Sequence, residues 1–352
     1  MLQRPDRPRR SPAPVFSLTL VGLATLSTFI IVPAGRIGDL GHATAAKFVV
    51  REYLLPHQNP AAFAHDPAVA SDGSVYFADQ QASYIGRLDP ESGGVKEYPT
   101  PTPGSGPHGI IVAPDGGVWY TGNAKGLIGR LDPKSGQITE FRIEGARDPH
   151  TPLWLNGKLW FTAQQANKYG MLDPKTGDVK VYDSPVPRSK PYGLQRAPDG
   201  TLWVALFGTN KLGHLDPATA QLTTIDLPNA DARPRRLAIT SDGRIWYSDY
   251  ARGYLGMYDP KTKSAKEWKT PNQAPEHTSN PYGIGIAPDG AIWVNEARQG
   301  NMVRFDPRTE QMLVVEIPTK GSVIRNVTVD SARQRLWIAE SGVSRLGRID
   351  LR

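Results

Sequence analysis

The sequence predicts an all-β protein, a seven-bladed β-propeller of four-stranded blades, its ring closed by an N-terminal strand that completes the last blade. Three observations carry this expectation. A unit built on an Asp-Gly turn and a Trp-centred strand recurs seven times at intervals of 41 to 47 residues, the spacing of propeller blades. The chain has 35 Gly, 32 Pro and eight Trp among 352 residues, a turn-rich and aromatic composition unlike that of a disordered chain. The seventh copy stops one strand short, while the stretch before the first copy resembles the missing strand.

In chain order, residues 1–14 are rich in Arg and Pro, and Val15 to Val32 is an uncharged, mostly apolar run. Basic then apolar is the order of a secretory signal. Cleavage sites stand after Ala34 (Val32-Pro33-Ala34) and after Ala45 (Ala43-Thr44-Ala45). Uncleaved, the run is long enough to anchor the chain in a membrane. The domain plan is therefore a signal or anchor with a short linker over 1–45 and a propeller over 46–352. A periplasmic or secreted location is expected, with an inner-membrane anchor as the alternative.

The repeat is clearest at Pro107-His108-Gly109-Ile110, then Ala113-Pro114-Asp115-Gly116, Val118-Trp119-Tyr120 and Ile128-Gly129-Arg130-Leu131-Asp132-Pro133. An Asp-Gly turn supplies the positive φ that a tight hairpin needs. Asp132-Pro133 through Gly136 makes the next reversal. The third strands end at Asp89, Asp132, Asp173, Asp216, Asp259, Asp306 and Asp350. Lys47 to Tyr53 has the character of a fourth strand and is expected to supply strand D of blade 7, burying edges that would otherwise stay open.

Strand A lies innermost and pairs with strand B through the Asp-Gly turn. Counting seven residues either way from the turn's Asp gives one facing pair per blade at the channel mouth. The pairs read His65 with Asp79, His108 with Gly122, His150 with Ala163, Tyr192 with Leu206, Arg235 with Asp249, Tyr282 with Glu296, and Asn326 with Glu340. Three of the seven His fall at one repeat position. Side chains from every blade converge at such a mouth, so this is the expected site. The strand-B Trp residues recur in nearly every blade and are expected in the core. His214 takes the place of an Arg in strand C and is expected to be structural.

The units Pro107-His108-Gly109-Ile110, Pro114-Asp115-Gly116, Trp119-Tyr120-Thr121 and Ile128-Gly129-Arg130-Leu131-Asp132 resemble the repeat of the virginiamycin B lyase family, seven-bladed propellers, over residues 47–352. The resemblance implies Mg²⁺-assisted opening of an ester by elimination instead of hydrolysis, and with it antibiotic resistance. It also implies a His acid or base, a second His with a Glu across its hairpin, and a Tyr, on blades 6, 7 and 1. Here those places hold Tyr282, Asn326 with Glu340, and His65; a rotated register holds His108, His150 with Ala163, and Tyr192. Neither register keeps the full set, which argues against streptogramin cleavage as such.

The expected function is accordingly a metal-assisted lyase acting on an ester or lactone in a small molecule or cyclic peptide. His65, His108, His150, Tyr282 and Glu340 are the catalytic candidates, with Tyr192, Arg235 and Asn326 binding substrate. Glu340, Glu296, Asp249 and Asp79 would hold Mg²⁺ or Ca²⁺ through oxygen ligands. A non-enzymatic periplasmic binder and a metal-dependent lactonase are the alternatives. The absence of Cys excludes thiolate chemistry and disulfides. Of the formal charge of +7, residues 1–45 carry +3. No basic run in the repeats would track a phosphate backbone, so nucleic acid is not an expected partner. A monomer is expected.

Overall fold

The computed structural model describes residues 48–56, 63–273 and 277–351. The expected signal or anchor over 1–45 lies outside the described residues. Phe48–Arg352 forms one compact unit. Among the described residues no helix is long and apolar enough to cross a membrane.

The expected propeller is observed. Seven antiparallel sheets of four strands follow one another, strands A to D from the channel outward. In blade 2 these are Pro107–Val112, Val118–Gly122, Leu127–Leu131 and Ile138–Arg142. Blade 7 joins both ends of the chain: Val49–Leu54 pairs with Arg345–Asp350, next to Arg335–Glu340 and Ile324–Asp330.

The repeat motifs have separate physical tasks. At the A–B turn, the Asp115 carboxylate accepts the Gly117 amide (2.9 Å) and also pairs with Arg130 of strand C (3.0 Å). Arg87 with Asp72 and Arg304 with Asp289 repeat that arrangement. His214 occupies the Arg place in blade 4 and packs on Trp203, ring centroids 4.8 Å apart, in the structural role expected of it. The Gly of strand C makes room for strand B. A Cβ on Gly129 would overlap the Tyr120 ring, which crosses above it so that its hydroxyl donates to Glu140 on strand D (2.9 Å). The Trp of strand B fills the core between blades: Trp119, Trp246, Trp293 and Trp337 are at most 1% exposed.

Adjacent blades are latched by the penultimate side chain of strand B. Thr121 donates to the His150 carbonyl (2.8 Å) and accepts the Gly109 amide (2.9 Å). Thr162 does the same for the Tyr192 carbonyl (2.7 Å) and Thr151 amide (3.2 Å). Ser248 joins the Tyr282 carbonyl to the Arg236 amide, and Asn295 joins the Ile324 carbonyl to the Gly283 amide. The first three latches therefore fix the backbone at the channel-mouth residue of the following blade, and the fourth fixes it one residue earlier, at Ile324.

Replacing Thr162 with Val keeps the volume and leaves a buried amide and carbonyl unpaired. The expected cost is about 1–3 kcal/mol, read as a lower urea midpoint with an unchanged m-value. An unchanged midpoint would show that the latch carries no stability.

Candidate functional site

In all seven blades strand A carries one residue more than strand B can pair. The bulge lies between Pro107, opposite Gly122, and Ile110, opposite Tyr120, and at the same place in the other six blades. A bulge bends the strand and re-aims the side chains within it. This corrects the sequence pairing by one residue in blades 1 to 6 and by two in blade 7. Ala64, not His65, faces Asp79; Pro107 faces Gly122, Pro149 Ala163, Pro191 Leu206, Pro234 Asp249, Pro281 Glu296 and Ile324 Glu340.

The correction also moves the blade-7 assignment. Arg325, which follows Ile324 as Tyr282 follows Pro281, holds the mouth position. Asn326 corresponds to Gly283 and lines a cavity below. The longer A–B turn of blade 7 shifted the count. Aligning Val327-Thr328-Val329 with Ile284-Gly285-Ile286 would have identified Arg325 from sequence.

The remaining mouth residues come together in one buried cluster. His65, His108, His150 and Tyr192 form a continuous stack around the channel, with ring centroids 3.4, 3.8 and 3.7 Å apart. The Tyr192 hydroxyl hydrogen-bonds that of Tyr282, and the latter lies 3.5 Å from His65 Nε2. The Arg235 guanidinium sits in an aromatic cage, 3.9 Å from the Tyr282 ring centroid and 4.2 Å from that of Tyr250, and donates to the Tyr192 hydroxyl (3.2 Å).

The next residue along strand A faces the cavity. In blades 2, 4 and 6 it is glycine, and a Cβ on Gly109 would overlap the His150 carbonyl of blade 3. In blades 1 and 5 it is Asp66 and Arg236. These form a buried pair across the channel: one Arg236 nitrogen reaches both Asp66 oxygens (2.9 and 3.0 Å), and Asp66 also meets His65 Nδ1 (2.8 Å). Opposite charges at one repeat offset are the signal in the sequence that marks this pair. The cavity beneath, about 540 Å³, is lined at this end by Asp66, Thr151, Arg236 and Asn326 and farther down by apolar strand-A residues.

Three of the four proposed metal ligands are engaged elsewhere. Asp79 accepts the amides of Phe63, Gln81 and Ala82; Asp249 accepts those of Arg233 and Arg252; Glu296 is held by the Asn272 amide and side chain. Glu340 lies fully buried beside Glu52, and burial followed by that neighbour's charge raises its carboxyl well above the ordinary value. Among the described residues the set of three or more potential ligands within reach of one another is His65, Asp66 and His108. Two nitrogens and a carboxylate already spanned by Arg236 do not suit Mg²⁺ or Ca²⁺, which take oxygen ligands in numbers.

Charge at the mouth follows from burial. Burial, then the guanidiniums of Arg236, Arg325 and Arg235, hold His65 well below its ordinary value. Burial and the neighbouring imidazoles and guanidiniums do the same to His108 and His150. Burial alone would raise Tyr282, yet Arg235, Arg236 and the Tyr192 hydrogen bond outweigh it and bring it below the ordinary phenol value. Tyr192 moves upward, through burial and the adjacent Tyr282.

Fold and site together define a class: a seven-bladed propeller with a polar, imidazole- and guanidinium-lined mouth. The chain belongs to the virginiamycin B lyase family, whose model matches residues 28–276. It is similar to a streptogramin B lyase structure at 24% identity and a TM-score of 0.78, covering 87% of this chain and 98% of that one. It is similar to a catalytically inactive virginiamycin B lyase variant from Staphylococcus aureus with quinupristin at 22% identity and a TM-score of 0.79, covering 87% and 100%. The extracellular domain of a one-component system from B. thetaiotaomicron matches at 14% identity and a TM-score of 0.67, over 86% of this chain and 39% of that one. No curated protein sequence matches the chain.

The three imidazoles impose a pH dependence with a definite sign. Their folded values lie below the unfolded ones, so below pH ~6.5 the unfolded chain binds more protons and stability falls. Glu340, shifted upward, opposes this by one proton above pH ~4.5. Between these limits the expected net slope is about two protons, roughly 2.7 kcal/mol per pH unit at most. Urea unfolding across pH 5–7.5 measures it; His150→Asn should flatten the slope by one proton and Glu340→Gln steepen it by one. Stability that instead rises as the pH falls, the sign of the Glu340 contribution alone, would mean that the three His titrate normally.

Proposed function

We propose that the chain is an exported propeller lyase that opens an ester or lactone linkage by elimination, with its chemistry at the Tyr282–Tyr192–His65 contact. One observation carries the reading: a phenol with a depressed proton affinity is held between a guanidinium and a neutral imidazole. A base matched to its working pH is what proton abstraction beside a carbonyl requires. Tyr282, as the phenolate, takes the proton; the electron pair of the broken carbon–hydrogen bond becomes the new double bond, and the carbon–oxygen bond at the adjacent carbon breaks. The ester oxygen departs as a carboxylate, whose developing charge Arg235 meets. Tyr192 and His65 hold the Tyr282 oxygen in place. The family supports the reaction class, and two of the similar structures are those of lyases.

A second reading, a non-enzymatic binder, is favoured by one feature. His65, His108, His150, Tyr192 and Tyr282 are each at most 5% exposed and pack on one another, so a ligand must part them. Turnover decides between the two. Cyclic depsipeptides, quinupristin among them, and simple lactones are incubated with the protein and the products weighed by mass spectrometry. Elimination leaves the mass of the opened ring unchanged, and hydrolysis adds water. Tyr282→Phe is expected to lower kcat about 10²–10⁴-fold with little change in Tm. Products carrying water, or a Tyr282→Phe variant as fast as the parent, would defeat the proposal.

A further inference from the structure

The balance of fixed charge at the mouth is positive. Arg235, Arg236 and Arg325 all act on His65, and burial keeps the three imidazoles from adding to or titrating that charge near neutral pH. Asp66 is the carboxylate inside the ring, and both its oxygens are taken by Arg236. Among the described residues no carboxylate pairs with Arg235 or Arg325; the first donates to a phenol and the second lies over the Phe63 ring, 5.1 Å from its centroid. Both are half-buried, so each is reachable from the mouth.

Among the described residues several buried donors here also lack an acceptor: Nε of Arg235, Arg236 and Arg325. Nδ1 of His108 is likewise unpartnered, in a side chain 5% exposed. Buried polar groups are rarely left so. Guanidiniums recognise carboxylate and phosphate by paired hydrogen bonds, and a divalent cation would enter against three of them.

We infer that the mouth is an anion site: it takes a ligand bearing a carboxylate or phosphate group on Arg235 and Arg325. This deepens the lyase reading, because it gives that site's substrate class, yet it is tested without turnover. The distinction from the sequence expectation is one of sign, since oxygen-ligand cations were expected at the same mouth.

The full chain is titrated calorimetrically with succinate, inorganic phosphate and MgCl₂ at pH 7.5. Saturable heat is expected from at least one of the two anions and none from Mg²⁺. The better of succinate and phosphate identifies which group the site prefers, and either result supports the class. Arg235→Met and Arg325→Met should each weaken anion binding about tenfold. Arg235→Lys, which retains the charge if the Met variant fails to fold, should weaken it less. Arg304→Met, on the outer side of blade 6, should leave it unchanged. Absence of anion binding, undiminished binding by both Met variants, or binding of Mg²⁺ in place of anions would overturn the inference. Anion binding without elimination would sink the lyase reading alone, and elimination of neutral esters without anion binding would sink this inference alone.

Discussion

The extra residue in strand A is the constraint on which the rest of the molecule depends. A bulge leaves backbone groups without partners in the ladder, and buried amides must find one elsewhere. In blades 2, 3, 5 and 6 the freed amide goes to a Thr, Ser or Asn side chain of strand B. The same side chain donates to a carbonyl of the next blade. One polar group thus closes the bulge, joins two blades and orients a mouth residue. The site could not be altered by straightening strand A without loosening the ring, which ties the site's geometry to the fold's closure.

The second organising interaction is the Asp66–Arg236 pair, which crosses the channel from blade 1 to blade 5. Burying two charges is costly, and removing either partner alone strands the other at about 3–5 kcal/mol. Arg236 thereby fixes a positive charge that persists at neutral pH, because an Arg guanidinium stays protonated. Burial first, and then the Arg236 charge, keeps His65 neutral; burial, then the His108 imidazole and Arg236, does the same for His150. Burial and the His65 imidazole keep His108 neutral against the opposing pull of Asp66. Neutral imidazoles can stack at 3.4 to 3.8 Å where charged ones would repel. Permanent guanidinium charge and a stack of uncharged bases are therefore two faces of one electrostatic arrangement.

Periodicity made the fold legible in sequence, since a blade cannot bury its faces alone and its signals must recur. Ring closure was legible for the same reason, as a missing strand at one end and a spare one at the other. The site was legible in address but not in register. His65, His108, His150, Tyr192, Arg235 and Tyr282 recur at the right offset, and the structure gathers them. The pairing partners were wrong because alternation along a strand assumes equal counts on both sides, which a bulge breaks. Asp79, Asp249 and Glu296 read as cation ligands because sequence shows a carboxylate's type and not the amides that its loop folds around it. Arg236 and Asp66 were overlooked because their repeat position is mostly glycine, and only their opposite signs mark them out.

These two electrostatic facts bear on how the site would work. A resting His65 is a poor proton acceptor, since burial and three guanidiniums oppose its charge. A ligand anion on Arg235 and Arg325 offsets two of those three cations and so favours the protonated imidazole. Linkage makes the effect reciprocal: what raises the basicity of His65 also tightens the anion's hold when the proton arrives. Tyr282 moves the same way, because the guanidiniums that disfavour imidazolium also favour phenolate, and offsetting them raises the proton affinity of the phenolate oxygen too. Loading the mouth therefore raises proton affinity on both groups. The pair 3.5 Å apart becomes more basic when an anionic ligand is in place, and stays inert toward solvent protons when it is not.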